Sequence, residues 1–100
     1  MDLDIVSKIN QSDVYNENDD EKHSFRVPSF IQEIVVQNTP INLRSETLST
    51  WKDLNELRLL YLCLDKALEN KRFKSSELYE LFINFIKDCI DNGMGIECNY

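Results

Sequence analysis

Glycine occurs twice in this chain of 100 residues, and proline twice. A β-sandwich or barrel of this size spends Gly, Pro, Asn and Asp on a tight turn at about every tenth residue. Asn and Asp are plentiful, but they are densest at the N-terminus, with eight of the nineteen in the first 20 residues. Few turns imply few, long elements, and the expected fold class is all-α.

Cysteine is sparse and odd in number, at Cys63, Cys89 and Cys98, with no C-x-x-C spacing. That pattern speaks against a disulfide framework and against a zinc knuckle, and it predicts a reducing compartment, cytoplasm or nucleus. The one histidine, His23, lies in an acidic stretch and reads as a solvated side chain rather than a catalytic base. Apolar runs are only a few residues long, far short of the ~20 that cross a bilayer. The opening Met1-Asp2-Leu3-Asp4 lacks the basic and apolar segments of a secretory signal. No Gly-rich phosphate loop occurs. The sequence therefore predicts no cofactor, no metal site, no membrane contact and no enzymatic activity.

Charge is unevenly spread. Residues 1–23 hold seven acids and two bases, so that −5 of the net charge of −7 sits there. The stretch from Asn10 to His23 has only Val14 and Tyr15 as apolar members. Such a segment buries too little surface to offset its ordering entropy. Residues 1–24 thus read as a flexible acidic arm before a helical domain over 25–100. Leu3, Val6 and Ile9 recur at every third position and allow one or two helical turns, read as a frayed terminus packed weakly on the body or, in the alternative, as a short docking motif that folds on a partner. An acidic chain is repelled by phosphate backbones, so direct nucleic-acid binding is not expected.

Three helices are predicted in the body. Phe30, Ile31, Ile34 and Val35 share one face of a helix over 28–38, which Pro40 ends. The β-branched run Ile34-Val35-Val36 leaves a strand as the competing reading of residues 30–36. A second helix is predicted over 47–69, capped by Ser45 or Thr47, with Leu54, Leu57, Tyr61, Leu64 and Leu68 at 3-4-3-4 spacing. A third, over 76–91, is capped by Ser75 or Ser76 and stopped by Asn92-Gly93. Its main stripe is Leu78, Leu81, Phe82, Phe85, Ile86, Cys89 and Ile90. The short connection makes the last two helices an antiparallel hairpin. Cys63 and Cys89 read as small buried hydrophobes, and Cys98 as an accessible thiol in a C-terminal tail.

Leftover apolar surface is the one pointer to function. Leu59 and Leu62 lie off the main stripe of the second helix, and Tyr79 and Ile83 off that of the third. Trp51, the only tryptophan, is a candidate interface anchor. With Leu3, Val6 and Ile9 these form the expected partner-binding set. The expected function is a non-enzymatic protein–protein interaction module, as a subunit or adaptor of a larger assembly or as a homodimer. The alternative is an acidic inhibitor or decoy that covers a basic surface of another protein. A third reading comes from Val27-Pro28, Ile31 and Ile34, followed by Leu43-Arg44 and Leu48-Ser49-Thr50-Trp51-Lys52-Asp53-Leu54. This pattern resembles an F-box, which opens with Leu-Pro and ends with a Trp shortly before a Leu. The resemblance implies an adaptor of a ubiquitin ligase. It breaks at Val35 to Pro40, where an F-box carries Ile-Leu-x-x-Leu.

Overall fold

The computed structural model describes residues 3–9, 24–43, 51–70, 74 and 76–99. Their order along the chain is β1 (Leu3–Lys8), β2 (Ser24–Val27), α1 (Ser29–Asn38), β3 (Trp51–Lys52), α2 (Leu54–Glu69), α3 (Glu77–Asp91) and β4 (Gly95–Asn99). The all-α, helical-bundle expectation is overturned. Among the described residues the fold is α+β, with three helices and a four-stranded antiparallel sheet of order β2-β1-β4-β3.

β1 is an inner strand, paired along one side with β2 (Leu3 opposite Val27, Ile5 opposite Phe25) and along the other with β4 (Ile5 opposite Cys98, Ser7 opposite Ile96). The expected flexible arm is therefore corrected at its start, because Leu3 and Ile5 are fully buried in the sheet. Residues 10–23, the rest of that segment, lie outside the described residues. The predicted helical turn through Leu3, Val6 and Ile9 does not form. In a strand, side chains alternate, and Leu3 and Ile5 on one face drive the pairing.

The tail after α3 is also a strand. Ile96 and Cys98 alternate inward, and Cys98 is 1% exposed, which corrects the expectation of an accessible thiol. The β3–β4 and β1–β4 pairings need few turn residues, because they join distant segments with helices rather than hairpin turns between them. Paucity of glycine and proline excludes a many-turned sheet, but not this one.

All three helices occur, with shifted starts. α1 begins at Ser29, and the Pro28 carbonyl accepts from the Ile31 and Gln32 amides. It ends at Asn38 ahead of Pro40. α2 begins at Leu54 rather than 47, since Trp51 and Lys52 pair with Glu97 and Ile96 as β3. Its cap is Asp53, whose Oδ1 accepts from the Glu56 amide at 2.8 Å. The predicted caps Ser45 and Thr47 lie outside the described residues. α3 is capped by Ser76, whose Oγ accepts from the Tyr79 amide at 3.1 Å. Beyond its end Gly93 takes a positive φ of 68°, which a side chain rarely tolerates.

The core lies between one face of the sheet and the helices. Leu3, Ile5, Val27, Ile96 and Cys98 meet Ile31 and Val35 of α1, Leu57, Leu60 and Leu64 of α2, and Tyr79, Phe82, Ile86 and Cys89 of α3. Phe25 of β2 bridges to α3, with ring centroids 5.9 Å from Phe82 and 5.8 Å from Phe85. Each such fully buried large side chain contributes roughly 1.5–3 kcal/mol. The opposite face of the sheet carries Asp4 and Arg26, joined at 3.0 Å across the β1–β2 pair. Both are well exposed, so the pair contributes at most about 1 kcal/mol.

Candidate interaction surface

Helix α3 departs from its predicted facing, and this sets the surface. Apolar residues cover more than half of its circumference, so the pattern leaves open which edge of the arc packs inward. The structure turns Tyr79, Phe82, Ile86 and Cys89 into the core. Leu78 and Leu81, assigned by spacing to the buried stripe, are 38% and 51% exposed. Tyr79, expected as a partner contact, is 1% exposed. Ile83 is half-buried against the core.

Tyr79 and Ile83 do come together. With Leu68, Glu80 and Asn84 they line a surface cleft of about 180 Å³ between α2 and α3. Pockets for drug-sized ligands run from about 300 Å³ upward, so this cleft suits a single side chain. Burial raises the Tyr79 hydroxyl pKa, and the nearby Asp65 carboxylate adds to the shift.

The other expected contacts separate into three places. Leu59 and Leu62 stay exposed, at 44% and 58%, one turn apart on the outer side of α2. Leu3 and Val6 are buried in β1, whereas Ile9 just beyond it is exposed. Trp51 is half-buried in β3, on the face of the sheet opposite the core, since it stands across from Glu97 while its neighbour Lys52 stands across from the buried Ile96. Phe30 and Val36 of α1 are exposed as well, and together with Leu78 and Leu81 they are positions that sequence reasoning assigned to the core or left unremarked. The i, i+3 spacing of Leu78 and Leu81 was visible in the sequence. Which side of α3 the sheet would cover was not.

Two of the three thiols are held in their protonated form by burial. The Cys89 thiol is pushed up to about 12, first by burial and then by Asp88. The Cys98 thiol is also pushed up to about 12, with burial outweighing the opposing pull of Lys52. Thiols in this range stay protonated and are poor nucleophiles at neutral pH. Among the described residues, no group of three or more His, Cys, Asp or Glu side chains is placed to hold a metal ion. None of the described helices is long and apolar enough to cross a membrane.

Comparison with known proteins returns no match, whether to a family model, a curated protein or a solved structure. The F-box resemblance gains no support. Val27 and Trp51, two of the residues that carry it, stand in strands β2 and β3.

Proposed function

We propose that this protein is a non-enzymatic protein–protein interaction module. One observation carries the reading. On helices α2 and α3, which pack against each other, two leucine pairs at i, i+3 spacing remain outside the core: Leu59 with Leu62, and Leu78 with Leu81. Single exposed leucines are ordinary on any surface. Two pairs on neighbouring helices of so small a domain present ordered apolar area, which a partner's side chains can desolvate.

The reading is tested by affinity capture from a lysate of the source cells. The bait is the full chain, wild type or with Leu59, Leu62, Leu78 and Leu81 all replaced by Asn. Circular dichroism first establishes that the variant is folded, as expected for exposed positions. The expected result is a protein retained by the wild type and lost by the variant. Equal recovery on both, or no protein specific to the wild type, contradicts the reading.

A further inference from the structure

Leu78, Leu81 and Phe85 follow one another at i, i+3 and i+7 along α3. This is the spacing of a two-helix seam, in which alternate knobs enter the holes of a facing helix. The seam lies on the flank of α3 beside the edge strand β2, where Phe25 packs on the Phe85 ring. Phe85 is half-buried, and Leu78 and Leu81 are exposed. The flank thus presents about two turns of helix, some 10 Å, as a shallow apolar strip.

Its solvent-facing border is acidic: Glu77, Asp88 and Asp91 lie along that side of α3, while Glu80 lines the cleft against α2. With Leu78, Leu81 and Phe85 in the seam, Asp88 continues the line one turn on. Glu77 and Asp91 fall at the flanking positions that set partner choice in paired helices. A second copy laid antiparallel on the same seam brings Glu77 of each chain against Asp91 of the other, which is like charge on like charge. A helix with Lys or Arg at its flanking positions meets opposite charge there.

We propose that the α3 flank formed by Leu78, Leu81 and Phe85, with Phe25 of β2, docks a basic amphipathic helix of another protein. The inference rests on the interaction-module reading and names the surface and the partner's chemistry.

The test uses two labelled synthetic heptad peptides with leucine at both seam positions. One carries lysine and the other glutamate at the flanking positions. Binding to the full chain is followed by fluorescence anisotropy at low and high salt. The expected result is binding of the Leu/Lys peptide alone, weakening as salt rises. Leu78→Asn with Leu81→Asn weakens it by roughly tenfold or more, as for residues at the centre of an interface. Glu77→Gln with Asp91→Asn weakens it roughly threefold and flattens its salt dependence. Leu59→Asn with Leu62→Asn leaves it unchanged.

No binding of the Leu/Lys peptide, equal binding of the Leu/Glu peptide, or affinity within about twofold of wild type in the Leu78/Leu81 variant overturns the proposal. Light scattering that shows a dimer dissociated by the Leu78/Leu81 substitutions also overturns it, in favour of a second copy. Loss of binding confined to the Leu59/Leu62 variant removes this flank while leaving the interaction-module reading standing.

Discussion

Gly95 lies directly beneath the ring of Trp51. A Cβ at position 95 would stand 2.6 and 2.7 Å from Cζ2 and Cη2 of that ring, and 2.5 Å from the Lys52 carbonyl oxygen. The absence of a side chain at the first residue of β4 is therefore what lets β3 pair with it. Gly95→Ala is expected to destabilise the fold by about 1–3 kcal/mol, the usual range for overpacking. Because the carbonyl contact is backbone, adding Trp51→Ala is expected to restore only part of the loss. Urea unfolding of the single and double variants measures both; a Gly95→Ala midpoint equal to wild type would show that β3 does not sit against β4 here.

Deleting residues 1–9 is expected to unfold the protein. β1 pairs on both sides, so its removal leaves β2 and β4 with unpaired edges and takes Leu3 and Ile5 out of the core. Losing two fully buried aliphatic side chains costs several kcal/mol, against a total stability of about 5–15 kcal/mol. Circular dichroism and amide-proton dispersion of the truncated chain are the measurement. A cooperative native-like domain without residues 1–9 would return β1 to the status of a dispensable arm.

How much of this was legible in the sequence depended on element length. The helices span 10, 16 and 15 residues, long enough for periodicity to show, and Pro40, Ser76 and Gly93 mark their boundaries by local chemistry. The strands are two to six residues long, and three of them hold only a pair of alternating apolar residues: Leu3 and Ile5, Phe25 and Val27, Ile96 and Cys98. So short an alternation is indistinguishable from a frayed terminus until a partner strand supplies hydrogen bonds, and the partners here are far apart in the chain. The candidate surface was half legible for the same reason. Leu59 and Leu62 lie opposite the buried side of α2 by angle alone, whereas the exposure of Leu78 and Leu81 follows from where the sheet meets α3.

The three thiols are expected to react at different rates. Cys63 is half-buried on α2, while Cys89 and Cys98 are in the core with their protonated forms favoured. A disulfide reagent at neutral pH should titrate Cys63 first, and the other two only as fast as the protein opens. Rapid modification of all three in the folded protein would contradict the burial of β4.

The same two thiols set an alkaline limit. Each has a folded-state pKa raised to about 12, so the unfolded chain loses its protons first. Their contribution is complete below about pH 8.5 and is lost as pH rises toward the folded values, by about 1.4 kcal/mol per pH unit for each thiol. Tyr79, shifted in the same direction, adds to the slope from about pH 10. Urea midpoints between about pH 7 and pH 10 should fall steadily above pH 9. The fall should flatten when Cys89 and Cys98 are both replaced by Ala, and a pH-independent midpoint in wild type would be inconsistent with these shifts.

Removing the helix caps should have small, separable effects. Asp53→Ala frees the Glu56 amide and Ser76→Ala frees that of Tyr79. Each should cost about 1 kcal/mol in chemical denaturation, and the two should add, since they cap different helices. Costs near zero for Asp53→Ala would argue that α2 starts earlier, as the sequence pattern alone suggests.

Site-specific photo-cross-linking tests the interaction role most directly. A photoreactive phenylalanine analogue is placed singly at Leu62 and Leu81, which are exposed leucines, and at Glu33 and Asn55, which are exposed polar positions. The full chain is then irradiated in lysate of the source cells. A discrete higher-mass adduct with another protein is expected from position 81, or from 62, and none from 33 or 55. Absence of any adduct from both leucine positions, or the same adducts from all four positions, would contradict a protein-docking role for these helices.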